Sequence, residues 1–190
     1  NSMETNIISL AQQIQHYFPK FYLAGGTAIM FKYNHRTSYD LDFFSFKAFS
    51  YNRLSQKMTG LFKNHIDSWQ RMEDNIDFFI NGIKVSFVFF PFENLEKTEK
   101  KNDIILASDI DLFLNKVYVA GRRIDPKDPF DAAFLYSKNQ WGKDYIEKNF
   151  EKKFHGQSYK IYLGALCSFD DYGDLPQWIK DTLLTLIDPV

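Results

Sequence analysis

The 190 residues include a single cysteine, Cys167, which excludes a disulfide framework and a cysteine-built metal site. No apolar run approaches the roughly 20 residues that span a bilayer. No basic segment leads into an apolar stretch near the start, as a secretion signal would. A net charge of −1 supplies no global field to draw the chain to nucleic acid or to an anionic membrane. Repeats, low-complexity tracts and a Pro/Gly/Ser linker are all missing, and His16, His65 and His155 show no metal-ligand spacing. These absences set the expectation of a cytoplasmic protein in a reducing compartment, with no membrane partner.

What is abundant is aromatic. Phe and Tyr number 20 and 11, aromatic residues make up 18%, and hydrophobic residues 45%, enough for a well-filled core in a chain of one-domain length.

Periodicity sorts the chain into an α+β N-terminal half and a helical C-terminal half. Ile7, Leu10, Ala11, Ile14 and Phe18 recur at helical spacing over residues 4–18, and Pro19 stops that helix. Phe21-Tyr22-Leu23 reads as a short buried strand, residues 28–33 as a short helix and Leu41-Asp42-Phe43-Phe44 as a second strand. A helix over residues 51–63 precedes two aromatic-rich strands, 76–80 and 83–90, joined by Asn81-Gly82, a strong hairpin signal. The mixed charges of 96–102 read as a solvated surface segment. Five helices are expected beyond Ile104. The expectation is therefore an α+β core of about four strands over residues 4–105, followed by a helical region over residues 106–190.

Two local features carry chemistry. A strand, Gly25-Gly26-Thr27 and then a helix form a phosphate-binding arrangement in principle. Glycine lets the backbone approach an anion, and a helix start offers free N–H groups. Alone, it is a weak signal and reads more often as just a tight turn. The second feature is Asp40-Leu41-Asp42: on a strand both carboxylates face one way, and they repel unless a cation such as Mg²⁺ lies between them. The bland alternative is a strand cap and a solvated acid. The order of the two features favours a single site.

The stretches Leu23-Ala-Gly-Gly-Thr-Ala-Ile-Met30 and His35-Arg-Thr-Ser-Tyr-Asp-Leu-Asp-Phe-Phe44 closely resemble the AbiEii-type abortive-infection nucleotidyltransferases, of the DNA polymerase β-like superfamily. A second block, Asp111 to Lys116, then Arg123 and Lys127-Asp128-Pro-Phe-Asp131, is similar to that family's Lys, Arg and Lys-Asp-x-x-Asp motif. The resemblance spans about residues 20–140. It implies a polymerase β-like nucleotidyltransferase core in which Asp40 and Asp42 hold Mg²⁺ or Mn²⁺ on the phosphates of a nucleoside triphosphate (NTP). It also implies that Gly25, Gly26 and Thr27 touch the triphosphate, with His35 and Arg36 steadying phosphate or the acids.

In the second block, Lys116 and Arg123 stand seven positions apart, two helical turns, so they can share one face, where a cation can meet phosphate oxygens. Lys127 and Asp128 either join the site or fix that helix. The alternative is an ion-paired helix face with Asp109, Asp111 and Asp131 as partners. Residues 147–153 read as a solvated helix face.

One departure qualifies the resemblance. The family's third carboxylate is expected on the strand Ile83-Lys-Val-Ser-Phe87, where this chain has Ser86. A serine is neither a general base nor a charged ligand. Asp77 and Glu93 are the candidate substitutes. Two functions stay open: transfer of a nucleoside monophosphate (NMP) to an acceptor hydroxyl, with tRNA or another RNA as acceptor, by a toxin with a cognate antitoxin; or a weakened relative that binds nucleotide or a partner without turnover. A metal-dependent phosphohydrolase fits less well, because it leaves the Lys/Arg block unexplained.

Overall fold

The structure, a computed structural model, describes residues 2–188, with side chains from residue 6 onward. The chain divides into two compact units. The first runs to Glu93 and resumes over Thr98–Ala107; the second takes Asn94–Lys97 and the chain from Ser108 onward.

In the first unit a seven-stranded sheet has the order β3-β4-β5-β2-β1-β7-β6. Its strands are β1 (Tyr22–Ala24), β2 (Asp40–Ser45), β3 (Ile66–Arg71), β4 (Asn75–Ile80), β5 (Ile83–Phe89), β6 (Glu99–Lys101) and β7 (Ile104–Leu106). The pairs β2–β5 and β1–β7 are parallel and the other four antiparallel, so the sheet is mixed. The count of about four strands is corrected to seven. The three strands not foreseen lack a readable pattern. β3 is an edge strand whose Asp67, Ser68 and Gln70 mask any alternation, β6 is Glu-Lys-Lys, and β7 has three residues. Asn102 and Asp103, both with positive φ (51° and 61°), turn β6 into β7, so the expected surface segment is half of a hairpin. The Asn81-Gly82 hairpin forms as expected, with φ of 50° and 80°.

Alternation along β2 decides which face is which. Leu41, Phe43 and Ser45 are buried, while Asp40, Asp42 and Phe44 are half-buried. On the Phe43 face, Phe43 stacks on Phe87 with centroids 5.8 Å apart, and Phe87 meets Phe18, Phe21 and Phe78 at 5.0, 5.2 and 6.1 Å. Each such contact contributes about 0.5–1.5 kcal/mol beyond burial, which is where the abundance of phenylalanine is used. Helices α1 (Ser2–Tyr17) and α3 (Tyr51–Phe62) cover this side: Phe18 follows α1, and Lys57 of α3 lies 4.6 Å over its ring. α2 (Gly25–Tyr33) starts directly from β1.

The second unit is helical: α4 (Asp109–Ala120), α5 (Lys127–Asn139), α6 (Lys143–Lys153), α7 (Tyr159–Leu166) and α8 (Gln177–Leu184). Ser108 and Ser158 cap α4 and α7, accepting from the backbone N–H groups of Asp111 and Ile161. Tyr118 stacks between Phe154 and Tyr162, at 4.2 and 5.5 Å. Gly121 closes α4 where any side chain would overlap the Tyr162 ring.

Candidate active site

The short strand β1 delivers the chain to Gly25 at φ +72°, a conformation that glycine adopts without steric cost. The reason for glycine here is doubled by a neighbour. β1 pairs with β2 so that Ala24 lies opposite Asp42, and a Cβ on Gly25 would overlap the Asp42 carboxylate. Gly26 is buried at the start of α2, which has no side-chain cap and no acid in its first turn. The opening N–H groups of α2 are thus available to an anion.

Thr27 is almost fully buried, and its hydroxyl donates to the Asp40 carbonyl. That bond commits the Thr27 proton, so in the 2.7 Å contact with Ser38 the serine is the donor. The Thr27 hydroxyl thereby ties α2 to the first residue of β2 and fixes where the acid pair begins.

Asp40 and Asp42 share the face opposite the aromatic core. Across that face the register aligns Asp42 with Ser86 on β5, Ser86 with Asp77 on β4, and Asp77 with Gln70 on β3. Asp77 is 3% exposed and accepts from Asn75 Nδ2 at 2.9 Å and Gln70 Nε2 at 3.5 Å. Of the two substitutes for the missing acid, Asp77 lies in this row, one strand beyond Ser86. Glu93 is exposed, past the end of β5. Lys84, which sequence reasoning missed, pairs with Asp40 in the register and sets its ammonium 4.0 Å from that carboxylate. Its signal was available as the other residue of the same face, two positions before Ser86. His35 and Arg36 are half-buried in the segment entering β2, and Arg36 donates to the Thr37 carbonyl.

Among the described residues no group of three His, Cys, Asp or Glu side chains gathers to hold an ion. Two carboxylates on one strand face suffice for Mg²⁺, which takes one or two from protein when phosphate and water oxygens complete the shell. The donor set therefore fits a nucleotide-bound Mg²⁺ or Mn²⁺ better than a cation held by protein alone.

In the second unit, Lys116 is buried and its ammonium lies 3.2 Å from Asp128 and 2.9 Å from Asp131, two carboxylates without solvent exposure. Arg123 donates to both oxygens of Asp128, at 3.0 and 2.8 Å, while its own side chain is 54% exposed. α4 ends at Ala120, so Arg123 does not stand on the Lys116 helix as the spacing suggested. The turn after Gly121 returns it to the start of α5. Asp128 thus joins a buried lysine to a solvent-reaching arginine. Lys127, the first residue of α5, is exposed.

Asp111 is not a partner of Lys116. It accepts from the Leu95 and Glu96 N–H groups, from Ser108 Oγ and from Lys153 Nζ at 2.7 Å, and the Lys153 and Asp111 side chains are both fully buried. Burial pushes the Lys153 pKa down while Asp111 pulls it up. The solvated face read over residues 147–153 is corrected at this residue: Lys153 turns inward because Asp111 offers it a charge partner that the linear pattern could not reveal.

Among the described residues no helix is long and apolar enough to cross a membrane. The chain is 35% identical over 168 residues to aq_aa25 of Aquifex aeolicus (strain VF5), covering 83% of this chain and 81% of that protein. In fold it is similar to the crystal structure of JHP933 from Helicobacter pylori, with a TM-score of 0.50 and 15% identity over 88% of this chain and 83% of that one. The family model of the nucleotidyl transferase AbiEii toxin, type IV toxin–antitoxin system, matches residues 9–177, taking in both the Gly25–Asp42 region and the Lys116–Asp131 cluster. The chain belongs to the AbiEii nucleotidyl transferase toxin family.

Proposed function

We propose that this toxin-family protein transfers an NMP from an NTP to an acceptor hydroxyl, with RNA as the acceptor-bearing molecule and a cognate antitoxin restraining it. The observation that carries this reading is the packing of Asp42 against Gly25. It sets the acid pair beside the uncapped start of α2, so anion-binding N–H groups and cation-binding carboxylates share one end of β2.

In the reaction, the acceptor hydroxyl gives up its proton to solvent, its oxygen forms a bond to the α-phosphorus, the bond to the bridging oxygen breaks, and pyrophosphate leaves with that electron pair. Such transfers depend mainly on positioning and charge neutralisation. Asp40 and Asp42 would hold Mg²⁺ or Mn²⁺, which would supply neutralisation at the phosphate oxygens. Gly25 and Gly26 let the backbone approach the phosphates, and Thr27 holds β2 in place through the Asp40 carbonyl. Lys84 limits repulsion between the two acids. In the second unit, Lys116 and Asp131 fix Asp128, and Asp128 orients the Arg123 guanidinium for a phosphate, a geometry to which arginine is suited. In the first unit, His35 and Arg36 are further phosphate contacts in this reading.

Incubation with labelled NTPs, Mg²⁺ and total RNA tests it. Label should pass to RNA, and transfer that survives Asp42→Ala unchanged rejects the assignment. Ser86 supports a second reading, a protein that binds nucleotide without turnover. Calorimetric NTP binding with no labelled product under the same conditions selects it.

A further inference from the structure

The near-zero net charge conceals a segregation. From residue 5 to residue 66 the chain has seven Lys and Arg and only two acids, a net of +5, against −1 for the whole chain. Those two acids are Asp40 and Asp42, on the opposite face of the sheet from α1 and α3. Among these residues the side of α1 and α3 has cations without acids, and Asp74, beyond them, stands near Tyr51 at the start of α3. Lys20, Lys47, Arg53, Lys57 and Lys63 are all exposed. Arg53 and Lys57 stand at i and i+4 on α3, a spacing at which like charges repel, and the helix has no acid to offset them.

Three further features share this face. Lys57 donates to the Tyr17 carbonyl and lies over Phe18, which brings the cations of α3 to the end of α1. There Tyr17 is 42% exposed, with its ring edge-on to His16 at 5.0 Å. Between α1 and the end of α3 runs a groove of about 330 Å³ lined by the polar Asn6, Ser9, Gln13, His65 and Asn81 and by four apolar side chains, with no acid among them. The outward residues between the cations, Asn52, Gln56, Thr59 and Asn64, are polar and exposed. α3 thus has no apolar edge to bury in a lipid surface, as an interfacial helix requires.

We propose that the α1–α3 face binds RNA, with phosphates on Arg53, Lys57 and Lys63 and a base stacked on Tyr17, and that it grips the body of the acceptor molecule while the reacting end meets the acids across the sheet. Cations tracking a backbone beside an exposed ring are the elements that hold single-stranded nucleic acid. The acceptor role rests on the transferase reading; the binding surface does not.

Fluorescence anisotropy of the full chain with a labelled single-stranded RNA tests the surface directly. Binding should weaken with salt. Arg53→Glu with Lys63→Glu should weaken it about tenfold or more and flatten the log–log salt slope by about 1.4, near 0.7 per lost phosphate contact. Tyr17→Ala should weaken binding about fivefold or more with the slope unchanged. Lys148→Glu with Lys152→Glu, the same charge change on exposed positions of the other unit, serves as the control and should have little effect. Circular dichroism verifies that each variant is folded, and Arg53→Gln with Lys63→Gln replaces the reversal if it is not. In transfer assays the reversal should raise KM for RNA and leave kcat in place. No RNA binding by the wild-type chain, binding indifferent to the reversal, or equal binding to anionic phosphatidylserine vesicles overturns the proposal. RNA binding with the expected variant pattern but no label transfer retains the surface and rejects the transferase reading.

Discussion

The Asp42 carboxylate occupies the space that a Cβ on Gly25 would fill. Gly25→Ala therefore meets two obstacles, the positive φ, which costs an ordinary residue about 1–2 kcal/mol, and the overlap that moves Asp42. Thermal denaturation should show the loss of stability. NMP transfer should fall about a hundredfold or more, since a displacement of about 1 Å costs that much in a positioned reaction. Retained activity would show that Asp42 does not need its position.

Thr27→Val tests the bond that starts β2. Valine keeps the shape but leaves the Asp40 carbonyl without its donor, an expected loss of about 1–3 kcal/mol in urea unfolding. Thr27→Ser should recover most of it. Equal stability of the valine and serine variants would show that the bond contributes nothing.

Lys116→Met removes the ammonium shared by two fully buried carboxylates, Asp131 and Asp128, of which Asp128 keeps Arg123. Breaking a buried pair from one side costs about 3–5 kcal/mol. Lys116→Met with Asp131→Asn should be more stable than Lys116→Met alone, because one uncompensated charge is removed. Urea denaturation of the three proteins gives the comparison.

Burial pushes the Cys167 thiol up to about 12, and Tyr172 also rises to about 12, through burial first and then the nearby acids Asp128, Asp171 and Asp125. Both groups hold their protons more firmly folded than unfolded. Their contribution is complete below the unfolded values of 9.0 and 10.0 and is lost as pH rises from there towards about 12. Unfolding midpoints should fall across that window. Iodoacetamide should label native Cys167 slowly at pH 8 and the urea-unfolded chain rapidly.

Ser86→Asp installs a carboxylate directly beside Asp42 in the parallel register. On the proposed metal role of Asp40 and Asp42, this third carboxylate should tighten Mn²⁺ binding about tenfold by electron paramagnetic resonance, since charge count tunes such affinities. Unchanged affinity would place the Ser86 side chain outside the ion's reach.

Much of the first unit was legible because the informative patterns are local. The alternation of Asp40-Leu41-Asp42-Phe43 puts both acids on one face before any partner strand is known, and Asn81-Gly82 specifies its own turn. β3 and β6 escaped because edge strands have little burial to impose a pattern. The Lys116–Arg123 spacing misled because Gly121 ends the helix between them.

By itself, the sequence determined the family, the shared face of Asp40 and Asp42, and the concentration of cations over residues 5–66. Tertiary structure alone decided that Asp42 packs on Gly25, that Asp77 lies one strand beyond Ser86, that Asp128 gathers Lys116 and Arg123, and that Lys153 is buried on Asp111. The physical reason is range. Side-chain alternation and turn chemistry act over a few residues, whereas register, burial and the choice of charge partner depend on segments that are distant along the chain.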